Sequence, residues 1–105
     1  MAQGKTEYDA EAAQAAADSL VGVSMVNQAP LWPEGSSEMD IDNTRAKAEI
    51  WDNFDDFASK WGALGEAAAS MQTVAGNGAE ALGPAMGGLG GACKACHDTY
   101  RAPQS

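Results

Sequence analysis

The side chains best suited to chemistry lie together near the end of the chain, in the stretch GACKACHDTY at 91–100. Cys93, Cys96 and His97 are both of the cysteines and the single histidine of this 105-residue protein. On an α-helix, positions i, i+3 and i+4 share one face. The spacing therefore predicts that two thiols and an imidazole project together toward a single bound object.

The order Cys-x-x-Cys-His is the attachment pattern of c-type haem. Each thiol forms a thioether with a porphyrin vinyl group, and the adjacent imidazole donates a nitrogen to the iron. We expect one haem c per chain, bound covalently through Cys93 and Cys96, with His97 as the metal ligand. Glycines before the motif cost a helix about 1 kcal/mol each relative to alanine, and a flat group against the backbone would explain them. They are Gly87, Gly88, Gly90 and Gly91.

Other interpretations of the motif have less support. A disulfide between Cys93 and Cys96 would close a very small loop and would stabilise the fold little. A thioredoxin-like dithiol follows a strand in a βαβ unit, and the sequence shows no such unit. A closed zinc site needs a fourth ligand, and no further cysteine or histidine remains. A chance occurrence of the motif leaves a haem-free helical interaction protein as the alternative from another class.

Composition and charge limit the class of protein. The chain carries 6 basic and 15 acidic residues, for a formal net charge of −9. Such a charge disfavours binding to nucleic acid or to an anionic membrane surface. No apolar run approaches the roughly 20 residues of a membrane span, and no signal peptide is visible, so we expect no membrane insertion. With its single histidine already assigned and no perturbed carboxylates expected, we predict that the protein is not an enzyme.

The apolar pattern predicts an all-α protein in a single haem-binding helical domain, 1–105, with three helices. We place them at about 9–27, 44–76 and 79–101, with Asp9 as the first N-cap and a loop at 28–43. Trp32 lies in that loop between two prolines, as a lid over the core or as a wall of a ligand pocket.

Heptad spacing is the strongest helical signal in the chain. Apolar or small side chains recur at steps of four and three and predict a seam that packs against other helices. The seam consists of Ile50, Phe54, Phe57, Trp61, Leu64, Ala68, Met71 and Ala75. Trp51 lies one position off the seam and is expected to reach a second neighbour. Asp52, Asp55, Asp56 and Lys60 are expected to face solvent.

Three stretches of the chain resemble the cytochromes c′, the class II c-type cytochromes. They are LWPEGSS in the loop, TRAKAEIWDNFDDFASK at the start of the long helix, and CKACHDTYR near the C-terminus. The resemblance covers roughly residues 4 to 101. Class I cytochromes c attach haem near the N-terminus instead, so the position of this motif argues against them.

The resemblance implies an antiparallel four-helix bundle, often a homodimer, in the bacterial periplasm. It implies high-spin haem ligated by His97, with the sixth iron position open to nitric oxide or carbon monoxide, and electron exchange with a redox partner protein. It places Arg101 beside the histidine on the helix and Trp32 near the distal side of the haem. It also implies that Thr44 and Arg45 lie near the haem propionates.

The family's first helix has no counterpart in the sequence, which shows three helices where the bundle has four. We therefore expect a monomer of this chain to be poorly soluble or to dimerise. The alternative within the same class is a low-spin electron-transfer cytochrome with a methionine as sixth ligand. In that branch the methionine comes from the first helix, and we expect Met25, Met39, Met71 and Met86 to be packing residues instead.

Overall fold

The computed structural model describes residues 1–103, so the last two residues of the predicted domain lie outside the described residues. Within that range the secondary structure is helical, and its single β contact is one isolated bridge. The helices are α1 (Ala10–Ser24), α2 (Glu49–Asp52), α3 (Phe54–Val74) and α4 (Ala79–Tyr100), with 3₁₀ turns at Ala29–Leu31 and Ala75–Asn77. The predicted all-α helical bundle is confirmed, with three long helices.

The three long helices pack antiparallel in sequence order. The Tyr8 hydroxyl, just before α1, donates to the Ala75 carbonyl oxygen at the end of α3 over 2.7 Å. At the other end of α1, Ser24 lies so close to Gly65 that a β-carbon there would meet its Oγ at 3.2 Å. The short turn between α3 and α4 ends at Gly78, whose φ of 114° favours glycine. The chain therefore reverses direction at once, and α4 returns along α3.

Helix α1 begins as predicted and ends earlier than predicted. Its N-cap is Asp9, whose carboxylate accepts a hydrogen bond from the Glu11 backbone N–H over 3.0 Å. The last helical residue is Ser24, three residues before the predicted end. Its buried face is made of the small residues Ala13 and Ala17, so α1 approaches α3 closely and buries little apolar volume of its own.

The predicted helix 44–76 was wrong at its start and in its continuity. The helical conformation begins at Glu49 and is interrupted at Asn53, whose φ and ψ are −128° and 50°. The eight seam positions are nevertheless all buried or half-buried, because the heptad spacing continues across the interruption. Ile50, on α2, is the largest side chain that is fully buried among the described residues.

Residues 45–47, here called the strap, explain the late start of the helix. The Lys47 N–H donates to the Tyr100 carbonyl oxygen over 3.0 Å, and the Ala102 N–H donates to the Arg45 carbonyl oxygen over 2.7 Å. Backbone groups used in this way do not enter the i to i−4 ladder of a helix. The strap therefore runs as extended chain beside the end of α4 and ties the loop to it.

Candidate functional site

A cavity of about 330 Å³ lies where the last turns of α4 meet the strap and the start of α3. This volume falls at the small end of the roughly 300–1,000 Å³ typical of ligand pockets. Its wall is mostly apolar and includes Ile50, Phe57, Trp61 and Tyr100. The cavity therefore offers a hydrophobic surface with a few polar groups at its edge.

The cavity brings most of the predicted site residues together. The following line its wall: Trp32, Thr44, Arg45, Cys96, His97 and Arg101. Cys93 is exposed and does not belong to the lining residues, whereas Cys96 is half-buried. The structure thus gathers these side chains from the loop, the strap and α4, and their individual roles stay predictions.

The strap is what places Thr44 and Arg45 near the histidine. The Thr44 Oγ1 accepts a hydrogen bond from the Ala46 N–H over 3.2 Å, which turns the chain into the strap. The Arg45 Nε then donates to the Ala102 carbonyl oxygen over 2.8 Å. This side chain therefore spans the space beside the end of α4, although the long-range pairing could not be deduced from local sequence.

Arg101 differs from the sequence expectation in one respect. It was predicted to be the last residue of the helix, and the structure ends α4 at Tyr100 instead. Arg101 is an extended C-cap residue with φ and ψ of −114° and 124°, and it forms an isolated bridge with Ala46 of the strap. Its N–H still donates to the His97 carbonyl oxygen over 3.2 Å, so the two residues remain adjacent at the cavity.

Trp32 packs over an aromatic cluster and also lines the cavity, and its role in binding a ligand stays a prediction. Its ring meets Phe57 edge to face, with centroids 5.0 Å apart. Its Nε1 donates to the Gln28 Oε1 over 2.9 Å, and its carbonyl oxygen accepts from the Trp51 Nε1 over 3.1 Å. Trp51 thereby reaches a second neighbour, as expected from its position off the seam.

The contact between Tyr100 and Asp56 was not predicted from the sequence. Asp56 is exposed, as predicted, yet its Oδ2 accepts a short hydrogen bond from the buried Tyr100 hydroxyl. This bond raises the pKa of Tyr100 to about 12. Antiparallel pairing of α3 with α4 is the signal that points to such a contact, but sequence spacing alone does not set the register between two helices.

Burial is the main cause of a raised pKa at the Cys96 thiol. The positive charge of Lys60 opposes this effect, while the negative charge of Asp56 adds to it. The sulfur therefore lies in a low-dielectric wall, with two charges of α3 near it. A thiol whose pKa is raised by burial in an apolar pocket is not an activated nucleophile.

The four glycines before the motif have no explanation within the described chain. A β-carbon built at Gly87, Gly88, Gly90 or Gly91 would meet no neighbouring heavy atom within 4 Å. Packing between helices therefore does not require glycine at these positions. The interpretation that a flat group lies against this part of α4 stays a prediction.

Methionine is not part of this cavity. Met25, Met39 and Met86 are exposed, and Met71 is buried in the other core cluster, between α1, α3 and α4. No methionine of the described chain is among the residues that line the cavity. Met71 is therefore a packing residue, as expected, whereas Met25, Met39 and Met86 are exposed and are not buried in the core.

The donor set fits a covalently bound haem better than a bare metal ion. Residues 1–103 contain no group of three histidine, cysteine or acidic side chains that could hold a metal ion together. Cys96 and His97 instead lie in an apolar wall, the surroundings that a porphyrin needs. In the same wall, the Trp61 Nε1 is buried and has no hydrogen-bond partner within the described residues. A bound group carrying an acceptor atom would satisfy that donor.

A helical bundle with a thiol–thiol–imidazole motif on its last helix is the architecture of a bundle cytochrome, and comparison with known proteins agrees. Residues 1–101 match the family Cytochrome C′. A cytochrome c′ from Cereibacter sphaeroides is 43% identical over 101 residues, which cover 96% of this chain and 68% of that protein. The chain belongs to the cytochrome c′ family.

Solved structures show the same relationship. A cytochrome c′ from Rhodobacter Spheriodes is 41% identical with a TM-score of 0.93, over 98% of this chain and 79% of that one. Nitric oxide and carbon monoxide complexes of variants of cytochrome c prime from Alcaligenes xylosoxidans are 28% identical, with TM-scores of 0.80 and 0.78. They cover 98% and 97% of this chain, and this chain covers 77% of each.

Membership fixes several coarse properties. The family binds c-type haem, and the two cysteines of this chain are consistent with covalent attachment. The names of the family and of its relatives specify no catalytic activity. Among the described residues, no helix combines the length and the apolar character that crossing a membrane would take.

Proposed function

We propose that this protein is a periplasmic haem protein that binds small gases at a high-spin, five-coordinate iron. The observation that carries the proposal is the composition of the cavity wall. Cys96 and His97 lie in an apolar surface to which no methionine of the described chain contributes. With His97 as its protein ligand from this wall, the iron can accept an exogenous diatomic molecule at another coordination position.

In this proposal Cys93 and Cys96 form the two thioether bonds and His97 supplies the axial nitrogen. The haem supplies the Lewis-acidic iron that takes up the gas. Trp32 forms part of the apolar wall near the distal side, where it excludes water. Exclusion of water matters because a neutral ligand such as carbon monoxide competes poorly with solvent in a polar pocket.

Positive side chains at the edge of the cavity suit the haem carboxylates. Arg45 and Arg101 both line the cavity, and Thr44 adds a hydroxyl beside them. Charge-assisted hydrogen bonds between guanidinium and carboxylate groups are among the stronger polar contacts in proteins. We assign these three residues to the propionates, with Arg101 also lying next to the axial histidine.

Gas binding rather than turnover is supported by the solved relatives. Nitric oxide and carbon monoxide were captured on cytochrome c prime from Alcaligenes xylosoxidans. The chemistry of a five-coordinate ferrous haem extends the same two ligands to this chain. Electron exchange with a redox partner protein remains a prediction from the resemblance alone, because no observation on the structure favours it.

The periplasmic location and the homodimer are parts of the same proposal. Covalent attachment of haem c takes place on the outer side of the bacterial cytoplasmic membrane. Dimerisation is supported by exposed apolar side chains of α1: Leu20 is 38% exposed and Val23 is 52% exposed. Burying such side chains in a symmetric contact would remove them from water. Sedimentation velocity of the holoprotein is expected to show the dimer mass.

An optical experiment tests the function. The chain is produced with an export signal in a host that matures cytochromes c, and its ferric, ferrous and carbon monoxide spectra are recorded. We expect a high-spin ferric spectrum and uptake of carbon monoxide by the ferrous form. A low-spin ferric spectrum with a methionine–iron charge-transfer band, and no carbon monoxide uptake, would contradict the proposal.

A matched pair of variants assigns the axial ligand in the same experiment. His97→Ala is expected to abolish the histidine-ligated spectrum. Lys94→Ala changes an exposed residue of the same helix, paired with Asp98, and is expected to leave the spectrum unchanged. If His97→Ala retained the parent spectrum, another residue would bind the iron.

A further inference from the structure

The hydrogen bond between Tyr100 and Asp56 joins the haem-binding end of α4 to the first turn of α3. Tyr100 follows His97 by three positions, so the two side chains share a face of the helix, and both line the cavity. The tyrosine is 3% exposed, and its hydroxyl donates to the Asp56 Oδ2. A surface carboxylate is thus attached to a buried residue of the site.

Tyr100 is fixed from several sides, so its hydroxyl has a defined position. Its ring meets Phe57 edge to face, with centroids 5.3 Å apart and an interplanar angle of 88°. Its carbonyl oxygen accepts the Lys47 N–H of the strap over 3.0 Å. An exposed aspartate normally samples several rotamers in water. Here the fixed phenol holds the Asp56 carboxylate in one place.

The carboxylate held in this way lies beside the cavity, because Tyr100, to which it is bonded, lines the same wall as His97. Because the apolar wall screens charges less than water does, a carboxylate fixed at its edge interacts with the site more strongly than a mobile one. A negative charge near an iron stabilises the ferric state, which carries one more positive charge than the ferrous state.

We propose that Asp56 is a positioning residue of the iron site: held by Tyr100, its carboxylate is a fixed negative charge that favours ferric over ferrous iron. The inference rests on the proposed function, because it requires haem at His97. Asp56 lies outside the cavity wall. Its charge lowers the reduction potential of the iron and thereby reduces the fraction of iron in the gas-binding ferrous state.

The test is the reduction potential of the holoprotein, measured by spectroelectrochemistry at one pH near 7. Asp56→Asn removes the charge with almost no change of shape. We expect it to raise the ferrous-to-ferric ratio at a fixed applied potential by about threefold to tenfold, where tenfold corresponds to about 59 mV for one electron. Asp56→Glu keeps the charge and is expected to restore most of the parent potential.

The matched control is Asp55→Asn. Asp55 is the preceding residue in the same turn and is exposed, so its replacement changes the net charge of the protein by the same amount. We expect it to shift the potential much less than Asp56→Asn. Tyr100→Phe removes the hydroxyl while keeping the ring, and is expected to shift the potential in the same direction as Asp56→Asn, by a smaller amount.

Two results would overturn the inference: an unchanged potential in Asp56→Asn, or equal shifts in Asp55→Asn and Asp56→Asn. The second result would show that the net charge of the protein sets the potential, whatever the position of the carboxylate. The absorption spectrum of the parent protein is recorded before its potential is measured. It distinguishes a failure of the inference about Asp56 from a failure of the proposed function. A protein without covalent haem refutes the function itself, whereas a normal haem spectrum with unshifted potentials refutes only the role of Asp56.

Discussion

Replacement of Ile50 by alanine should destabilise the protein strongly, because this residue connects the helices to the wall of the cavity that contains Cys96 and His97. Ile50 is 1% exposed and belongs to the cluster that contains Phe57 and Tyr100. It lies on α2, so its contacts hold this short helix against the bundle. Loss of those contacts is expected to loosen the link between the strap and α3.

The magnitude follows from the atoms removed. Ile50→Ala deletes three carbons, each worth about 0.8 kcal/mol when buried, or about 2.4 kcal/mol in all. A residual void normally adds to this transfer term, for totals of about 2–5 kcal/mol. Ile50 lines the cavity assigned to the haem, so the space left by its side chain lies at the edge of that cavity and is expected to add little to the transfer term. We therefore expect a loss of about 2.5–3 kcal/mol in the free energy of unfolding.

The assay is equilibrium urea unfolding of the holoprotein, followed by far-UV circular dichroism. The control is Ile41→Ala, which removes the same atoms from a loop side chain that is 50% exposed and should change stability by less than about 0.5 kcal/mol. A loss below about 1 kcal/mol for Ile50→Ala, or equal losses in the two variants, would refute the packing argument.

The remaining predictions concern protons, thiols and the turn after α3. The hydrogen bond to Asp56 raises the pKa of Tyr100 from about 10 to about 12. Its contribution to stability is therefore complete below pH 10 and is lost as the pH rises through 12. An ultraviolet titration should show a late tyrosine step that Tyr100→Phe removes. In haem-free protein, iodoacetamide should label the exposed Cys93 before Cys96, because burial shields the Cys96 thiol and raises its pKa. Peptide mass spectrometry measures the labelling rates of both thiols. Unfolding in urea should make the two rates equal. Tyr8→Phe should lower the free energy of unfolding in urea by about 1–3 kcal/mol, because the hydroxyl donates to the Ala75 carbonyl oxygen and accepts from the Gly78 N–H in the turn between α3 and α4. An unchanged free energy of unfolding would show that water replaces the hydroxyl.

Local sequence patterns predicted the helices and the motif, whereas contacts between segments that are distant in the sequence could not be predicted from them. Asp9 was identifiable as an N-cap because capping involves adjacent residues. The strap at 45–47 was not, since the hydrogen bonds that tie it to the end of α4 join residues more than fifty positions apart. A run with good helical spacing was therefore predicted as helix, although its backbone groups pair with the end of α4.

The candidate site shows the same division. Spacing within one helix predicted Cys96 and His97, the loop between two prolines predicted Trp32 as a lid or a pocket wall, and the resemblance to the family added Arg45. The hydrogen bond between Tyr100 and Asp56 depends on the axial register between α3 and α4. Side-chain packing across the bundle decides that register, and a single sequence contains no direct signal for it.

Covalent attachment of a haem to Cys93 and Cys96 is tested by mass spectrometry of the denatured holoprotein, matured in a competent host and measured before and after digestion with a protease. We predict that the intact mass exceeds that of the polypeptide by one haem, and that the added mass stays on the peptide containing both cysteines. A bare polypeptide mass, or haem that is lost on denaturation, would contradict the account.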